Sequence, residues 1–262
     1  MARIIPMPRV RHYIALGIII FIAVVVANLP AKLLFDAVES SLTGNTVIKF
    51  SEAEGSVWKG RLGLEYAGIN LTVDWDILQM QILLGRLAAD VSVTDLDSSS
   101  DSRVTGKVFS SLLSSAGFYA VNGGVSAVLL NRLAKNQFSM EQNIALDALT
   151  VTYQNQQFTA AAGEITWPGG RIGYEDPNRG LQQVVLPALK VTLEADDGHL
   201  LASLMPQGAG EMNRDVLADA NIDGEGIATV AVRKRLLDLV GQRWGNVVNP
   251  DDVVLEIQQP VF

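Results

Sequence analysis

The spacing of apolar positions changes twice along the chain. Residues 13–31 carry no charge, and 13–27 are apolar on every side of a helix. Pro30 suits the first turn of a second helix. Leu33, Leu34, Ala37, Val38 and Leu42 follow at helical spacing until Gly44-Asn45 supplies a stop. A short amphipathic helix over 30–43 is the expectation, which with the span before it gives a juxtamembrane helix at 32–45. After Asn45 the period falls to two. Val47-Ile-Lys-Phe50 alternates, as do 61–66 and 69–75, where Ile69, Leu71, Val73 and Trp75 share one face and Ala67-Gly68 suits a hairpin turn. Further strands are predicted at 87–93, 104–110, 144–153, 158–167, 184–194, 200–205, 227–232 and 253–257. Many are half polar, so one face of the sheet is expected to be wet, as antiparallel sheets allow. Short helices are predicted at 126–135 and 234–244, and a solvated loop at 97–102.

Two blocks resemble each other. Gly55-Ser-Val-Trp58-Lys-Gly60-Arg-Leu-Gly63 is similar to Gly163-Glu-Ile-Thr-Trp167-Pro-Gly-Gly170-Arg-Ile-Gly173. Gly85-Arg-Leu-Ala-Ala-Asp-Val91 is similar to Gly198-His-Leu-Leu-Ala-Ser-Leu204. Each pair keeps its order and leads to one of the two helices, which suggests a duplicated β-unit over about 53–135 and 162–244. The fold class expected is therefore mostly β: antiparallel twisted or curved sheets with short helices, on one N-terminal transmembrane helix.

Charge refines the N-terminal segment. Residues 1–12 hold Arg3, Arg9 and Arg11 and no acid, while the other 17 bases face 28 acids in 13–262. The charge-free run at 13–31 would be ~28 Å long as a helix, close to the ~30 Å bilayer core. Bases before it and acids after it predict a cytoplasmic tail at 1–12 and a periplasmic domain at 46–262. An uncleaved signal anchor over 13–31 is favoured by that length. A cleavable signal peptide competes, because Val25 and Ala27 fit the small-residue positions before Asn28.

Composition removes whole classes of chemistry. With no Cys there is no disulfide framework, thiolate zinc site, iron–sulfur cluster or thiol nucleophile. Two His exclude a His-rich metal site. A net charge of −8 argues against nucleic acid as a partner. Asp74 and Asp76 flank Trp75 and point to the opposite face. Asp196-Asp197-Gly198 and Asn249-Pro250-Asp251-Asp252 read as turns. Asp219-Ala-Asn221-Ile-Asp223-Gly224 matches the first half of a calcium loop, but Val230 stands where the bidentate carboxylate belongs. Gly106-Lys107 lacks the rest of a P-loop, and Ser126 lacks the second glycine of a nucleophile elbow. His199 beside a turn reads as a surface residue. No catalytic, cofactor-binding or metal-binding residue is predicted, no cofactor, and no enzyme. For Trp58 and Trp167 two readings stand: indoles covering the backbone bared by glycine, or hot spots for a partner.

The chain resembles the family of protein N of the bacterial type II secretion system (general secretion pathway protein N). The residues are the basic start, the apolar span ending in Leu29-Pro30-Ala31, and Gly55-Ser-Val-Trp58-Lys-Gly60. Trp75 followed by Leu83-Leu84-Gly85-Arg86-Leu87 adds to it, as do Trp167-Pro-Gly-Gly170 and Leu186-Pro187-Ala-Leu189. That resemblance implies a single-pass inner-membrane protein, accessory to the machine that exports folded proteins across the outer membrane. It implies other secretion components as partners and no catalytic residues. One span followed by repeated β-units also resembles the AsmA-like group, which would imply a lipid ligand in an apolar groove and a role in outer-membrane maintenance.

Overall fold

The computed structural model describes residues 29–32, 48–66, 68–82, 84–97, 99–111, 114–134, 138–176, 180–208, 215–241 and 249–261. The elements run β1 (Ile48–Gly55), β2 (Lys59–Tyr66), β3 (Ile69–Ile77), α1 (Gln79–Ile82), β4 (Arg86–Asp95), β5 (Arg103–Ser111), β6 (Ser115–Val125), α2 (Ala127–Leu133), β7 (Phe138–Met140) and β8 (Ile144–Gln154). Then follow β9 (Gln157–Trp167), β10 (Gly170–Asp176), β11 (Gly180–Leu186), β12 (Leu189–Asp196), β13 (His199–Pro206), β14 (Ala218–Ile222), β15 (Ile227–Arg233), α3 (Lys234–Leu239) and β16 (Val253–Pro260). The fold is mostly β with antiparallel sheets and short helices, as the alternation predicts.

Thirteen strands form one sheet in the order β1-β2-β3-β4-β5-β6-β8-β9-β12-β13-β14-β15-β16. A second sheet of three, β11-β10-β7, stands apart. All pairs are antiparallel, so partners in register share a face. Leu62, Val73, Val93 and Val104 follow one another across the first strands on one face. Val108, Phe118 and Val151 continue that face, as do Ile165, Val191, Leu204, Ala218, Val232 and Leu255 in the later strands. The opposite face holds Arg61, Asp74, Ser92 and Thr105, then Lys190, Ser203 and Asp219.

Two sheet ends can be told apart. One, the capped end, carries Val125, Ile144, Trp167, Leu189 and Arg233, with α2, α3 and the small sheet beside it. The other, the N-proximal end, receives Leu29 and Pro30: the Val57 N–H donates to the Leu29 carbonyl at 2.9 Å, and Pro30 bridges to Ser56. The expected membrane segment 13–31 and the expected helix over 30–43 otherwise lie outside the described residues. Among the described residues no helix is long and apolar enough to cross a membrane.

The sheet rolls toward its apolar face. Tyr153 of β8 points from that face, and its hydroxyl donates to the Gly224 carbonyl in the β14–β15 turn at 2.7 Å. In sheet order, β8 and β14 are four strand spacings apart, or ~19 Å if flat. Only a rolled sheet brings them together. Bulges supply the bend. Register shifts interrupt β5–β6, β6–β8 and β8–β9, where Ala120 and Ala148 take φ of 52° and 48°. Asn122 clamps both: its amide donates to the Ala120 carbonyl at 2.8 Å, and its Oδ1 accepts from the Ala148 N–H at 2.9 Å. Gly123 is required beside them, since a Cβ there would lie 2.1 Å from the Arg103 carbonyl oxygen.

The two repeat-like blocks take different routes. Both strand triplets β4-β5-β6 and β13-β14-β15 end in a helix, α2 and α3. Yet Trp58 leads into β2 of the large sheet, whereas Trp167 ends β9 just before β10 leaves for the small sheet. The continuous strand expected over 184–194 is two strands in two sheets, divided at Pro187-Ala188, because proline cannot donate to a ladder.

Removing the bulge clamp with Asn122→Ala should cost about 1 kcal/mol. Urea denaturation would show a lower midpoint at unchanged slope.

Candidate functional site: a rolled apolar face closed at one end

The apolar face starts as alternation and ends as a surface. Along β3 and β4, Leu71, Val73, Trp75, Val91 and Val93 are half-buried with no second sheet over them among the described residues. On the bulged strands β8 and β9, Leu149, Val151 and Phe158 are buried, and the Tyr153 and Phe158 rings meet at 5.1 Å. A face this large cannot be left in water cheaply, since each Å² of exposed apolar surface costs roughly 25 cal/mol. Contiguous apolar surface beyond a few hundred Å² marks an interaction site.

The capped end is built from elements that leave the sheet. Ala127, Met140, Trp167, Leu186, Leu189 and Leu217 form a buried cluster, against which Leu130, Ile172, Leu204 and Leu236 pack. Trp167 is the largest of these side chains, and its Nε1–H donates to the Gln142 carbonyl at 3.2 Å. Asn131 of α2 acts as a strand partner to β7, donating to the Met140 carbonyl at 3.0 Å and accepting from the Met140 N–H at 2.8 Å. Trp167 therefore serves the core. Trp58 is half-buried, and its carbonyl accepts from the Ile77 N–H. The indole that covers a bared glycine is that of Trp75: a Cβ on Gly60 would lie 2.5 Å from its Cζ2. The Trp75 Nε1–H donates to the Val57 carbonyl at 3.0 Å.

The serines expected in a solvated loop are partly interior. Ser100, Ser102 and Ser126 are buried, and their hydroxyls lie 2.7–2.9 Å from one another. Ser126 also caps α2, accepting from the Leu129 N–H. Arg132 of α2 pairs with the buried Asp95 and, at 2.9 Å, with Asp97. This cluster ties the 95–102 segment to the cap. The hydroxyls bond to one another, and the Ser126 N–H donates to the Ser102 hydroxyl, so the three serines lock the segment to the start of α2.

The polar face is laced by cross-strand ion pairs. Lys59 donates to Asp76 at 2.7 Å, Arg61 to Asp74 at 2.6 Å and Lys190 to Glu164 at 3.1 Å. Lys107 pairs with Asp90 at 2.9 Å and Arg233 with Asp219 at 2.6 Å. Asp76 raises the Lys59 pKa, and Asp90 raises that of Lys107, each first through its hydrogen bond. Asp74 and Asp76 do lie on the face opposite Trp75, each with a basic partner.

The residues of the half calcium loop are split between uses. Asp219 accepts from Arg233 and Ser203, and Asn221 lies 3.0 Å from His199 Nδ1. Asp223 folds its own turn by accepting from the N–H groups of Glu225 and Ile227. Among the described residues no group of three or more His, Cys, Asp or Glu is placed to hold a metal. A cavity of about 330 Å³ at the capped end is lined by Pro206, Asp215, Leu217 and Arg235. Its charges are neutralised internally, Arg235 binding both Asp215 and Asp251 at 2.7 Å.

Alternation alone does not find the connector at 78–85, nor the exposed start of β4 beside it. Met80 and Leu84 are 74% and 79% exposed, and Ile82 and Leu87 also face outward. The run Met80-Gln-Ile-Leu-Leu84 is the signal, since it continues apolar past the end of β3 without a partner strand.

Asp97 is held below the ordinary carboxylate range, first by the Ser99 N–H, then by the Ser99 hydroxyl and more weakly by Arg132. A lowered carboxyl stabilises the fold above its unfolded pKa, and that gain disappears as pH falls through the lower folded value. Asp97→Asn should therefore make the acid loss of stability shallower, read from urea midpoints across the acid range.

A family model described as type II secretion system (T2SS), protein N matches residues 47–235, well over half of the 262. No curated protein and no solved structure matches the chain.

Proposed function

From the premise that this chain belongs to the type II secretion system protein N family, we propose that it is an accessory, non-enzymatic component held at the inner membrane. In this reading, residues 1–12 are a cytoplasmic tail, 13–31 a single-pass anchor, 32–45 a juxtamembrane segment and 46–262 a periplasmic domain. The observation that carries the reading is the match over 47–235. The charge asymmetry around the apolar run supports the orientation. The shared order of β4-β5-β6-α2 and β13-β14-β15-α3 supports a duplicated unit over 53–135 and 162–244.

Other components of the machine are the partners, and strand addition is the mode the edges favour. β1 and β16 are the outer strands. β1 is interrupted at Phe50/Ala53 and carries Lys49, Glu52 and Glu54, which protect an edge. β16 has one charge, Glu256, and exposes Val253, Leu255 and Ile257. Ile257→Lys should remove crosslinks between β16 and its partner in cells while thermal unfolding stays close to that of the parent chain. Crosslinks of undiminished yield would reject this mode.

The rolled apolar face favours a second reading, a lipid-handling role in outer-membrane maintenance, because such a face can accept acyl chains. Deletion of the chain separates the two. Folded exoproteins held in the periplasm, with the outer membrane still closed to a bulky antibiotic, are the expected outcome. Normal release with a leaky outer membrane would transfer the function to lipid handling.

A further inference from the structure

We propose that the β3–β4 connector is a membrane contact: Met80, Ile82 and Leu84, with Leu87 at the start of β4, insert into the bilayer surface beside the span at 13–31. The inference rests on the anchored reading above and specifies a second point of attachment.

Three observations place the connector there. First, it sits where the N-terminal segment arrives. The Val57 N–H donates to the Leu29 carbonyl at 2.9 Å, and the Ile77 N–H to the Trp58 carbonyl at 2.6 Å. The chain leaving the apolar run and the last residue of β3 are thus bonded to neighbouring positions, 57 and 58. A span ending at Leu29–Ala31 brings the membrane surface to the start of the connector.

Second, the connector has the composition of an interfacial segment. Residues 78–85 carry no charge, and Met80, Ile82 and Leu84 are exposed, Leu84 at 79%. Water is a poor solvent for such a cluster, and the boundary between headgroups and acyl chains is a good one. Three turns between later strands at the same end differ. Asn155-Gln156, Asp197-Gly198 and Asp223-Gly224-Glu225 are polar or acidic.

Third, the connector is braced in one position against β4. The Leu78 N–H donates to the Ala88 carbonyl, Leu84 to Gln81 and Gly85 to Ile82. At its base the Arg86 guanidinium lies 3.9 Å from the centre of the Phe109 ring and 5.5 Å from that of Tyr119. That stacking fixes the start of β4. Two attachments, one spanning and one interfacial, would stop the domain from pivoting on a single helix and turn the capped end away from the bilayer.

The absence of Cys makes the test direct. Full-length chain carrying Leu84→Cys, Met80→Cys, Asn155→Cys or Val185→Cys is labelled with an environment-sensitive fluorophore. Each is reconstituted into phosphatidylethanolamine/phosphatidylglycerol vesicles containing spin-labelled lipids that quench at shallow depth. Val185 is 69% exposed on β11 of the small sheet, at the far end. Labels at positions 80 and 84 should be quenched several-fold more than those at 155 and 185. Equal quenching at 84 and 185 in chains that float with the vesicles overturns the connector contact and leaves the anchor standing. Chains that do not float with the vesicles overturn both.

Discussion

In an antiparallel ladder, residues opposite one another project to the same side, so a one-residue slip would turn a strand's apolar set into water. Here that condition holds from Leu62 on β2 to Leu255 on β16. Phase survives even where residues are added. Ala120 and Ala148 occupy left-handed conformations at the bulges, and Asn122 bonds to the backbone of both. The same bulges increase the local bend, so the devices that preserve phase also roll the sheet.

Rolling creates a second requirement, because a rolled sheet has two open ends. At one end, α2, α3 and the small sheet bury Trp167 and Leu217, and the Asp95–Arg132 pair ties the first half of the sheet to the same cap. At the other end, Tyr153 reaches across to Gly224 in the second half. The first half has no matching closure among the described residues, and there the connector at 78–85 lies with Met80 and Leu84 exposed. Function in this family therefore has a surface to work with. One side of the sheet is apolar, the other is neutralised by cross-strand pairs, and the edges differ in how open they are to pairing.

Much of this was legible in the alternation. Ile69, Leu71, Val73 and Trp75 declared their face because strand residues alternate strictly. β6 was hidden because Gly117, Gly123 and Gly124 replace side chains where backbones approach closely, and glycines read as turns. β14 was hidden by its own polar side chains: Asp219 and Asn221 resemble metal ligands in one dimension, yet in the sheet they face Arg233 and His199. The serines at 100 and 102 looked solvated because their partner, Ser126, is distant in sequence. The roll itself could not be read, since it depends on Tyr153 meeting Gly224 across intervening strands.

The order of the strands bears on how such a chain is made. In the large sheet each strand pairs with the strand before it, apart from the excursions that remove β7, β10 and β11. A polypeptide emerging N-terminus first never needs to wait for a remote partner, and low separation between pairing segments favours fast assembly. Growth of this kind leaves a fresh, unpaired edge at every stage, and α3 emerges only after the fifteen described strands that precede it. A nascent chain arrested midway would present a raw ladder and an unfinished lid together, the combination that invites aggregation. The slow and vulnerable interval in its biogenesis is therefore the wait for residues 234–239.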